Sequence, residues 1–214
     1  MRTGEPNLLI LAVIYTICYP AKSQHRKFFW CNSGMSYNRV YLAGPDVFFP
    51  DAAERAARLK EMCSKRGLVG VFPLDSGVKL LQPVEREDNG YIIAFENIKL
   101  IESCWAVLAN MSPFRGPSMD VGTAFEMGYG RALRMNVVGY TDSKTEYKTR
   151  VKEDGLLIEN FGMIDNLMVH SAVAGDIFEN VEDAIEYLGH LFNDGEPTQP
   201  IDRHSYAFLL ETDT

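Results

Sequence analysis

Two carboxylates stand six residues apart in the stretch DVGTAFEMGYGRAL, which has the pattern of a helix over Val121–Leu133. Asp120 precedes this helix at the N-cap position, and Glu126 lies within it. Two carboxylates in one site can divide the roles of acid and nucleophile between them. Two ordinary roles are also open, because Asp120 could be a plain cap and Glu126 a solvated helix residue.

Three glycines make the predicted helix unusual. Each interior glycine costs about 1 kcal/mol relative to alanine, so bare backbone is expected to be useful there. We expect Gly128 to pack closely on a sheet, and Gly122 and Gly130 to leave open space for a ligand around Glu126. A helical wheel turns Glu126 away from the predicted buried face, which comprises Val121, Ala124, Phe125, Gly128 and Ala132.

Several established motifs are missing from the sequence. It has no G-x-x-x-x-G-K-[ST] loop, no G-x-G-x-x-G after a first strand and no G-x-S-x-G elbow, which disfavours P-loop, dinucleotide-binding, kinase and α/β-hydrolase functions. The four cysteines and four histidines show no zinc-ligand or H-E-x-x-H spacing. The sequence therefore predicts neither a metal nor a cofactor.

The composition is that of a globular protein. The chain has 214 residues, a formal net charge of −8, 46% hydrophobic residues and 23% charged residues. These values indicate one domain with appendages. The acidic balance disfavours binding to a nucleic acid polymer, which usually needs a basic patch, although a single pocket can still bind a small nucleotide.

Residues 1–35 differ from the rest of the chain. The apolar run over Asn7–Tyr19 is too short to span a bilayer and has the length of a signal-peptide core. Three interpretations stay open: a targeting or membrane-associating extension, an additional buried or partner-binding segment, or a stretch translated upstream of a working start at Met35. We predict a cytoplasmic protein, with targeting or secretion as the alternative if this extension acts as a signal. Residues 194–214 are predicted to form a loose acidic tail.

Strand and helix patterns alternate between these two ends, over residues 36–193. Short apolar runs predict strands at Arg39–Ala43, Val69–Phe72, Trp105–Ala109, Val137–Tyr140 and Met163–Val169. Helices are predicted from Asp51 to Gly67, from Glu87 to Ser103 and after Asn180, in addition to the one that carries Glu126. This order predicts an α/β fold with a doubly wound parallel sheet of about five strands and helices on both faces.

The predicted fold also locates a ligand site. Open parallel sheets bind ligands in a crevice at the carboxyl ends of their strands. Two segments follow such ends here, the loop Gly44–Pro50 and the loop and helix start Ser112–Glu126, and we expect them to line the crevice. Arg115 in the second loop could be a surface charge or an anion contact.

Four motifs occur in a fixed order: YLAGP, SPFRG, D-x-G-T-A-F-E-x-G and NLM, starting at Tyr41, Ser112, Asp120 and Asn166. With them the chain, over about residues 38–192, resembles the nucleoside 2-deoxyribosyltransferase family. The resemblance implies a flavodoxin-like sheet, 2′-deoxynucleosides and free nucleobases as substrates, and a place in nucleoside salvage.

The resemblance further implies a double displacement at the anomeric carbon of the sugar. Glu126 corresponds to the nucleophile that forms a covalent deoxyribosyl ester, and Tyr41 to the tyrosine that orients it. Asp120 corresponds to the acid that protonates, or hydrogen-bonds to, the departing base, and a neighbouring carboxylate can supply the raised pKa that an acid needs. Asn166 corresponds to an asparagine lent to a neighbouring subunit, which implies a homo-oligomer, at least a dimer.

Further residues are expected to bind the substrate. Gly44 and Pro45 would shape the floor of the site, and Phe48 could stack on a base or belong to the core, as could Phe49. Asn97 falls where bacterial members often place an aspartate that reaches into the site. The other predicted substrate-binding residues are Ser112, Arg115 and Gly122.

Two residues depart from the family pattern, since Trp105 and Asn110 stand where acids are common. We expect Trp105 to alter packing without touching the chemistry, and Asn110 to weaken a hydrogen bond near the base. Neither change removes the proposed nucleophile.

Two other functions remain as alternatives. A hydrolase of deoxynucleoside 5′-monophosphates would use water as acceptor and would call on Arg115 or Ser112 to bind phosphate. A module that binds nucleosides or nucleotides without turnover is disfavoured by Tyr41, Asp120 and Glu126, because a pure binder has no need of a buried nucleophile.

Overall fold

A parallel sheet lies at the centre of the protein in a computed structural model, which describes residues 38–77 and 86–194. Its strands in chain order are β1 (Arg39–Ala43), β2 (Val69–Val71), β3 (Ala106–Asn110) and β4 (Asn136–Tyr140). Their order across the sheet is β2-β1-β3-β4. In this register Tyr41 of β1 lies between Val71 of β2 and Val107 of β3. This is the strand order of a flavodoxin-like, doubly wound sheet.

Helices connect the strands and cover the sheet. In chain order they are α1 (Ala52–Ser64), α2 (Arg86–Glu102), α3 (Val121–Ala132), α4 (Tyr147–Arg150), α5 (Leu167–His170) and α6 (Val181–Asn193). Two short 3-10 turns, Pro45–Phe48 and Pro73–Ser76, follow β1 and β2. The predicted fold class is therefore confirmed.

Both faces of the sheet are buried, which explains why its strands read as continuous apolar runs. Tyr41 and Val107 face the core on the α3 side, together with Met127 of α3. Val40 and Leu42 face the other core, which α1 and α6 cover. Because side chains alternate along a strand, this register directs Tyr41 toward the helix that carries Glu126.

The predicted fifth strand at Met163–Val169 is wrong. The segment ends in helix α5, whose first turn is capped by Asn166, because the Asn166 Oδ1 accepts a hydrogen bond from the Met168 N–H. The edge position beside β4 is instead occupied by a single parallel bridge between Tyr140 and Phe178.

The residues predicted to cap the helices do so, except for Asp51. Gly67 ends the turn after α1 in the left-handed conformation, with φ of 76°, and the Asn180 side chain caps α6. Asp51 occupies the cap position of α1, but its carboxylate pairs with Arg55 rather than with a helix N–H.

No helix within residues 38–77 and 86–194 is long and apolar enough to cross a membrane. The predicted extension over residues 1–35 lies outside the described residues, as does the predicted tail after Asp194.

Candidate functional site

A tyrosine–glutamate pair joins β1 to the middle of α3. The Tyr41 hydroxyl donates a hydrogen bond of 2.6 Å to Glu126 Oε1. Tyr41 is fully buried, and Glu126 is half-buried. The geometry therefore holds one carboxylate in a fixed orientation against the core, with its other oxygen available for a further contact.

The surroundings of Glu126 disfavour its ionised form. The pKa of Glu126 is raised to about 7, chiefly by burial and to a smaller extent by the nearby Asp120 charge, while the Tyr41 hydrogen bond opposes the shift. Burial, followed by the Glu126 charge, also raises the pKa of the Tyr41 hydroxyl far above its ordinary value, so the hydroxyl remains a donor. The carboxyl whose pKa is raised is thus that of the predicted nucleophile, Glu126, whereas the expected place for a raised pKa was the predicted acid, Asp120.

This raised pKa predicts a pH-dependent loss of stability. The pKa of Glu126 is about 7 in the folded state, and its ordinary value is 4.5. Between these two pH values the folded protein holds a proton that the unfolded chain has lost, so the free energy of unfolding falls as pH rises through this range. We expect Glu126→Gln to increase the free energy of unfolding at pH 8 by on the order of 3 kcal/mol, and much less at pH 5. Urea unfolding of both proteins at each pH measures the difference.

The exposed Glu61 of α1 provides the control, since Glu61→Gln is expected to show no such gain as pH rises. An equal effect of Glu126→Gln at pH 5 and pH 8 would contradict the buried-charge explanation.

Asp120 has the cap role that the sequence left open. Its Oδ2 accepts hydrogen bonds from the N–H of Thr123, at 2.9 Å, and from the Thr123 hydroxyl, at 3.1 Å. The carboxylate also lies close enough to act on the pKa of Glu126. Gly122 lies exposed beside it, and a Cβ at Gly122 would come within 3.0 Å of Asp120 Oδ2. The two carboxylates therefore lie along the first half of α3, one at its N-cap and the other near its middle.

The predicted buried face of α3 is wrong. The residues that face the sheet are Thr123, Met127 and Gly130. Val121 and Phe125, which were predicted to be buried, are 84% and 62% exposed. Both sets repeat with helical spacing, so a wheel shows which residues share a face but not which face meets the sheet.

The glycine roles are reversed as well. A Cβ at Gly130 would lie 2.7 Å from Val107 Cγ2, so Gly130 allows close packing of α3 on β3. A Cβ at Gly128 would meet nothing within 4 Å. Gly130 therefore does not open space for a ligand, and Gly128 does not pack on the sheet.

This pair of glycines predicts opposite stability effects. Gly130→Ala is expected to destabilise the protein by about 1–3 kcal/mol, because Val107 is a buried, stiff side chain that cannot move aside. Gly128→Ala, two residues earlier, is expected to stabilise it by about 0.5–1 kcal/mol through helix propensity. Thermal and urea unfolding of the two variants compare them directly. Equal effects would contradict the assigned packing of α3.

A polar cluster occupies the adjoining end of β1 and β3. Asp46 is buried and pairs with Arg55 at 3.0 Å, and it accepts a hydrogen bond of 3.3 Å from Asn110 Nδ2. Gly44 lies against the cluster, because a Cβ there would approach Asp46 Oδ2 to 2.9 Å. Asn110 thus donates to a neighbouring carboxylate, which an acid at this position could not do when ionised. Asp46 is not among the predicted site residues, and its only signal in the sequence is that it directly follows the Gly-Pro turn.

The two loops expected to line the crevice are in contact. Phe48 and Phe114 stack with ring centroids 5.6 Å apart, and the Arg115 guanidinium lies over both rings, 5.1 Å and 4.8 Å from their centroids. Phe48 is 54% exposed and belongs to the surface rather than the core. Arg115 is therefore a cation on an exposed aromatic platform, held in a left-handed conformation with φ of 55°.

Three further residues predicted to bind the substrate lie in separate elements of the fold. Pro45 begins the 3-10 turn after β1. Asn97 lies on α2, and its buried Oδ1 accepts no hydrogen bond from the part of the chain that the structure describes. The Ser112 hydroxyl accepts a hydrogen bond from the Asp142 N–H.

Trp105 lies at the amino end of β3, the edge opposite to the loops, and packs edge-on against Phe192 of α6. This position supports a packing role without contact to the chemistry. Among the described residues, no group of three or more His, Cys, Asp or Glu side chains is placed to hold a metal ion.

Comparison with known proteins identifies the family. The model of the nucleoside 2-deoxyribosyltransferase family matches residues 40–168. The chain belongs to this family. The resemblance inferred from the four motifs is thereby confirmed, and both Tyr41 and Glu126 lie within the matched range.

Individual proteins that are similar to this chain agree with the family assignment. A 2-desoxiribosyltransferase from Leishmania mexicana is 32% identical and superposes with a TM-score of 0.61, over 72% of this chain and 97% of that one. An uncharacterized protein of Schizosaccharomyces pombe is 29% identical over 160 residues, covering 63% of this chain and 76% of its own length. A conserved protein from Enterococcus faecalis, 18% identical with a TM-score of 0.52, covers 72% of this chain and 98% of that one, and shares the fold. This nucleoside 2-deoxyribosyltransferase family member therefore shares its fold with the two solved structures.

Proposed function

We propose that the protein transfers the 2-deoxyribosyl group of a 2′-deoxynucleoside from one nucleobase to another. The observation that carries the proposal is the hydrogen bond between Tyr41 and Glu126, which holds a half-buried carboxylate against β1 of the sheet. Membership of the family supports the class of substrate, nucleosides and nucleobases. In a cell this exchange would serve nucleoside salvage.

In the first step, the ionised Glu126 carboxylate attacks C1′ of the nucleoside and the N-glycosidic bond breaks. The departing base leaves with the bonding electron pair, and Asp120 protonates it or donates a hydrogen bond to it. A carboxylate can share the positive charge of the oxocarbenium-like transition state before it forms the ester. Because the ester is neutral, its formation removes a charge that the site solvates poorly.

In the second step, a nitrogen of the incoming base attacks C1′ from the face that the first base left. The C1′–oxygen bond to Glu126 breaks, the proton of the incoming base passes to Asp120, and the Glu126 carboxylate recovers its charge and its hydrogen bond from Tyr41. Two inversions give net retention at C1′. No cofactor is required, because all bonds are exchanged between the sugar, the two bases and one side chain.

The surrounding residues would bind the two substrates. The exposed Phe48, stacked on Phe114, offers an aromatic ring on which a base can stack. Gly44 and Pro45 would leave room for it at the end of β1, and Asn97 offers its unsatisfied oxygen as an acceptor. Ser112, Arg115 and Gly122 lie on the adjoining loop and helix start, where they would contact the substrate.

The protein is proposed to act as a homo-oligomer in which Asn166 serves a neighbouring site. Large apolar side chains support a partner surface, since Phe95 of α2 and Phe125 of α3 are 61% and 62% exposed and Met168 of α5 is 70% exposed. Exposed apolar patches of this kind commonly mark interfaces between subunits.

A base-exchange assay tests the proposed function. The protein is given 2′-deoxyinosine with free adenine and, separately, thymidine with adenine, and the products are separated by chromatography. We expect deoxyadenosine to form, and the donor that succeeds reports the base preference.

Two outcomes would contradict this proposal. Free base without a new nucleoside would indicate water as acceptor and favour the hydrolase, in which case deoxynucleoside 5′-monophosphates are the substrates to try. Absence of turnover with either donor, together with retained binding of the nucleoside, would favour a binding module.

A further inference from the structure

The side chain of Asn166 is fixed at both ends of its carboxamide. Its Oδ1 accepts a hydrogen bond of 3.0 Å from the Met168 N–H, and its Nδ2 donates one of 2.7 Å to Glu159 Oε1. The other oxygen of Glu159 accepts a hydrogen bond of 2.9 Å from the Leu167 N–H. Because the oxygen and the nitrogen have different partners, the carboxamide cannot turn over without losing both.

The backbone of Asn166 is fixed independently by Asp165. This fully buried carboxylate accepts hydrogen bonds from the Asn166 N–H at 2.7 Å, from the Met119 N–H at 3.0 Å and from the Ser118 hydroxyl. Met119 directly precedes Asp120, so Asp165 joins the start of α3 to the segment that presents Asn166. The orientation of the Asn166 side chain is set by its two own contacts, the Met168 N–H at the oxygen and the Glu159 carboxylate at the nitrogen.

These contacts define what Asn166 can offer to a ligand. A carboxamide has two N–H donors and an oxygen with two acceptor sites. Glu159 takes one N–H and the cap takes one acceptor site, which leaves one N–H and one lone pair in fixed directions. A half-buried N–H directed in this way suits the oxygen of a sugar hydroxyl.

We propose that Glu159 is a positioning residue, which orients the Asn166 carboxamide so that its second N–H donates to a sugar hydroxyl of the nucleoside. This inference rests on the proposed function, because it assumes that Asn166 contacts the substrate. Glu159 itself does not touch the substrate. Its contribution is to hold the donor in its binding orientation before the nucleoside arrives, which lowers the entropic cost of binding.

Steady-state base exchange tests the inference with Glu159→Ala, Asn166→Ala and the double variant. We expect each single variant to lower kcat/KM about tenfold, mainly through a higher KM, since one oriented hydrogen bond to the substrate is lost. The double variant is expected to be no worse than Asn166→Ala alone, because Glu159 acts through Asn166. Glu153→Ala, at an exposed glutamate of the same loop, is the matched control and is expected to be unchanged.

A change of substrate separates positioning from a purely structural role. The same proteins are given analogues of the donor that lack the 3′-hydroxyl or the 5′-hydroxyl. We expect the defect of Glu159→Ala to disappear for the analogue that lacks the hydroxyl bound by Asn166, whereas a loosened loop would impair all donors equally. If Glu159→Ala fails to fold, Glu159→Gln replaces it, because one acceptor oxygen remains and a smaller loss is expected.

Each contrary outcome has a distinct meaning. Unchanged kinetics of Glu159→Ala, additive losses in the double variant or equal losses on every donor would overturn the inference alone. Normal kinetics of Asn166→Ala would also overturn it, while base exchange by the wild type would leave Glu126 as the proposed nucleophile. An inactive wild type would overturn the proposed function, and this inference with it.

Discussion

Replacing Glu126 with glutamine is expected to lower kcat/KM for base exchange at least a thousandfold, while the protein stays folded. Glutamine has nearly the same shape and can still accept the hydrogen bond from Tyr41, but it cannot form the covalent ester with C1′. Initial rates of deoxyadenosine formation measure the loss. Mass spectrometry of the wild type, quenched during turnover, is expected to show one added deoxyribosyl group on the peptide that contains Glu126.

The matched control for this loss is Glu61→Gln, which changes an exposed helical glutamate and is expected to leave the rate unchanged. The result would contradict a nucleophilic role if Glu126→Gln kept more than about a tenth of the activity. A sugar adduct on a different residue would contradict it as well.

Replacing Tyr41 with phenylalanine is expected to lower kcat/KM about a hundredfold at pH 7 and to move the acid limb of the pH profile upward. In the wild type, activity is expected to rise with pH through the pKa of Glu126, about 7, because the nucleophile must be ionised. The Tyr41 hydrogen bond lowers that pKa, so its removal raises the pKa and leaves less carboxylate ionised at pH 7. Rates measured from pH 5 to pH 9 give both effects.

The deficit of Tyr41→Phe is expected to shrink toward pH 9 without vanishing, since the carboxylate also loses the donor that orients it. Tyr187→Phe, which changes a half-buried tyrosine on α6, is the control and is expected to keep the wild-type profile. An unshifted acid limb in Tyr41→Phe would show that Tyr41 does not act on the ionisation of the nucleophile.

The fold, and the proximity of two of its loops, could be predicted from local patterns. Alternating apolar runs and helices predicted a doubly wound parallel sheet, and the loops after β1 and β3 were expected at its carboxyl edge. The structure places Phe48 and Phe114 of these loops in contact. These features follow from the periodicity of apolar residues along the chain and from general rules for how strands and helices are connected. Neither requires knowledge of contacts between distant residues.

The segment after Gly162 shows where local patterns failed. Its apolar residues suggested a strand, but the Asn166 side chain caps a short helix there, and a single residue, Phe178, pairs with β4 in place of the fifth strand. A run this short has no decisive period, so capping and tertiary contacts determine its conformation.

The sequence by itself determined which residues of the chain could do chemistry, because the motifs around Tyr41, Asp120, Glu126 and Asn166 are local. Only the tertiary structure decided how they act on one another. The face of α3 that meets the sheet could not be read from a wheel, since Val121 and Phe125 repeat as regularly as Thr123 and Met127. The pairing of Tyr41 with Glu126, 85 residues apart, and the pKa of about 7 at Glu126 depend on burial and on long-range contacts. Burial and long-range contact exist only once β1 and α3 have packed together.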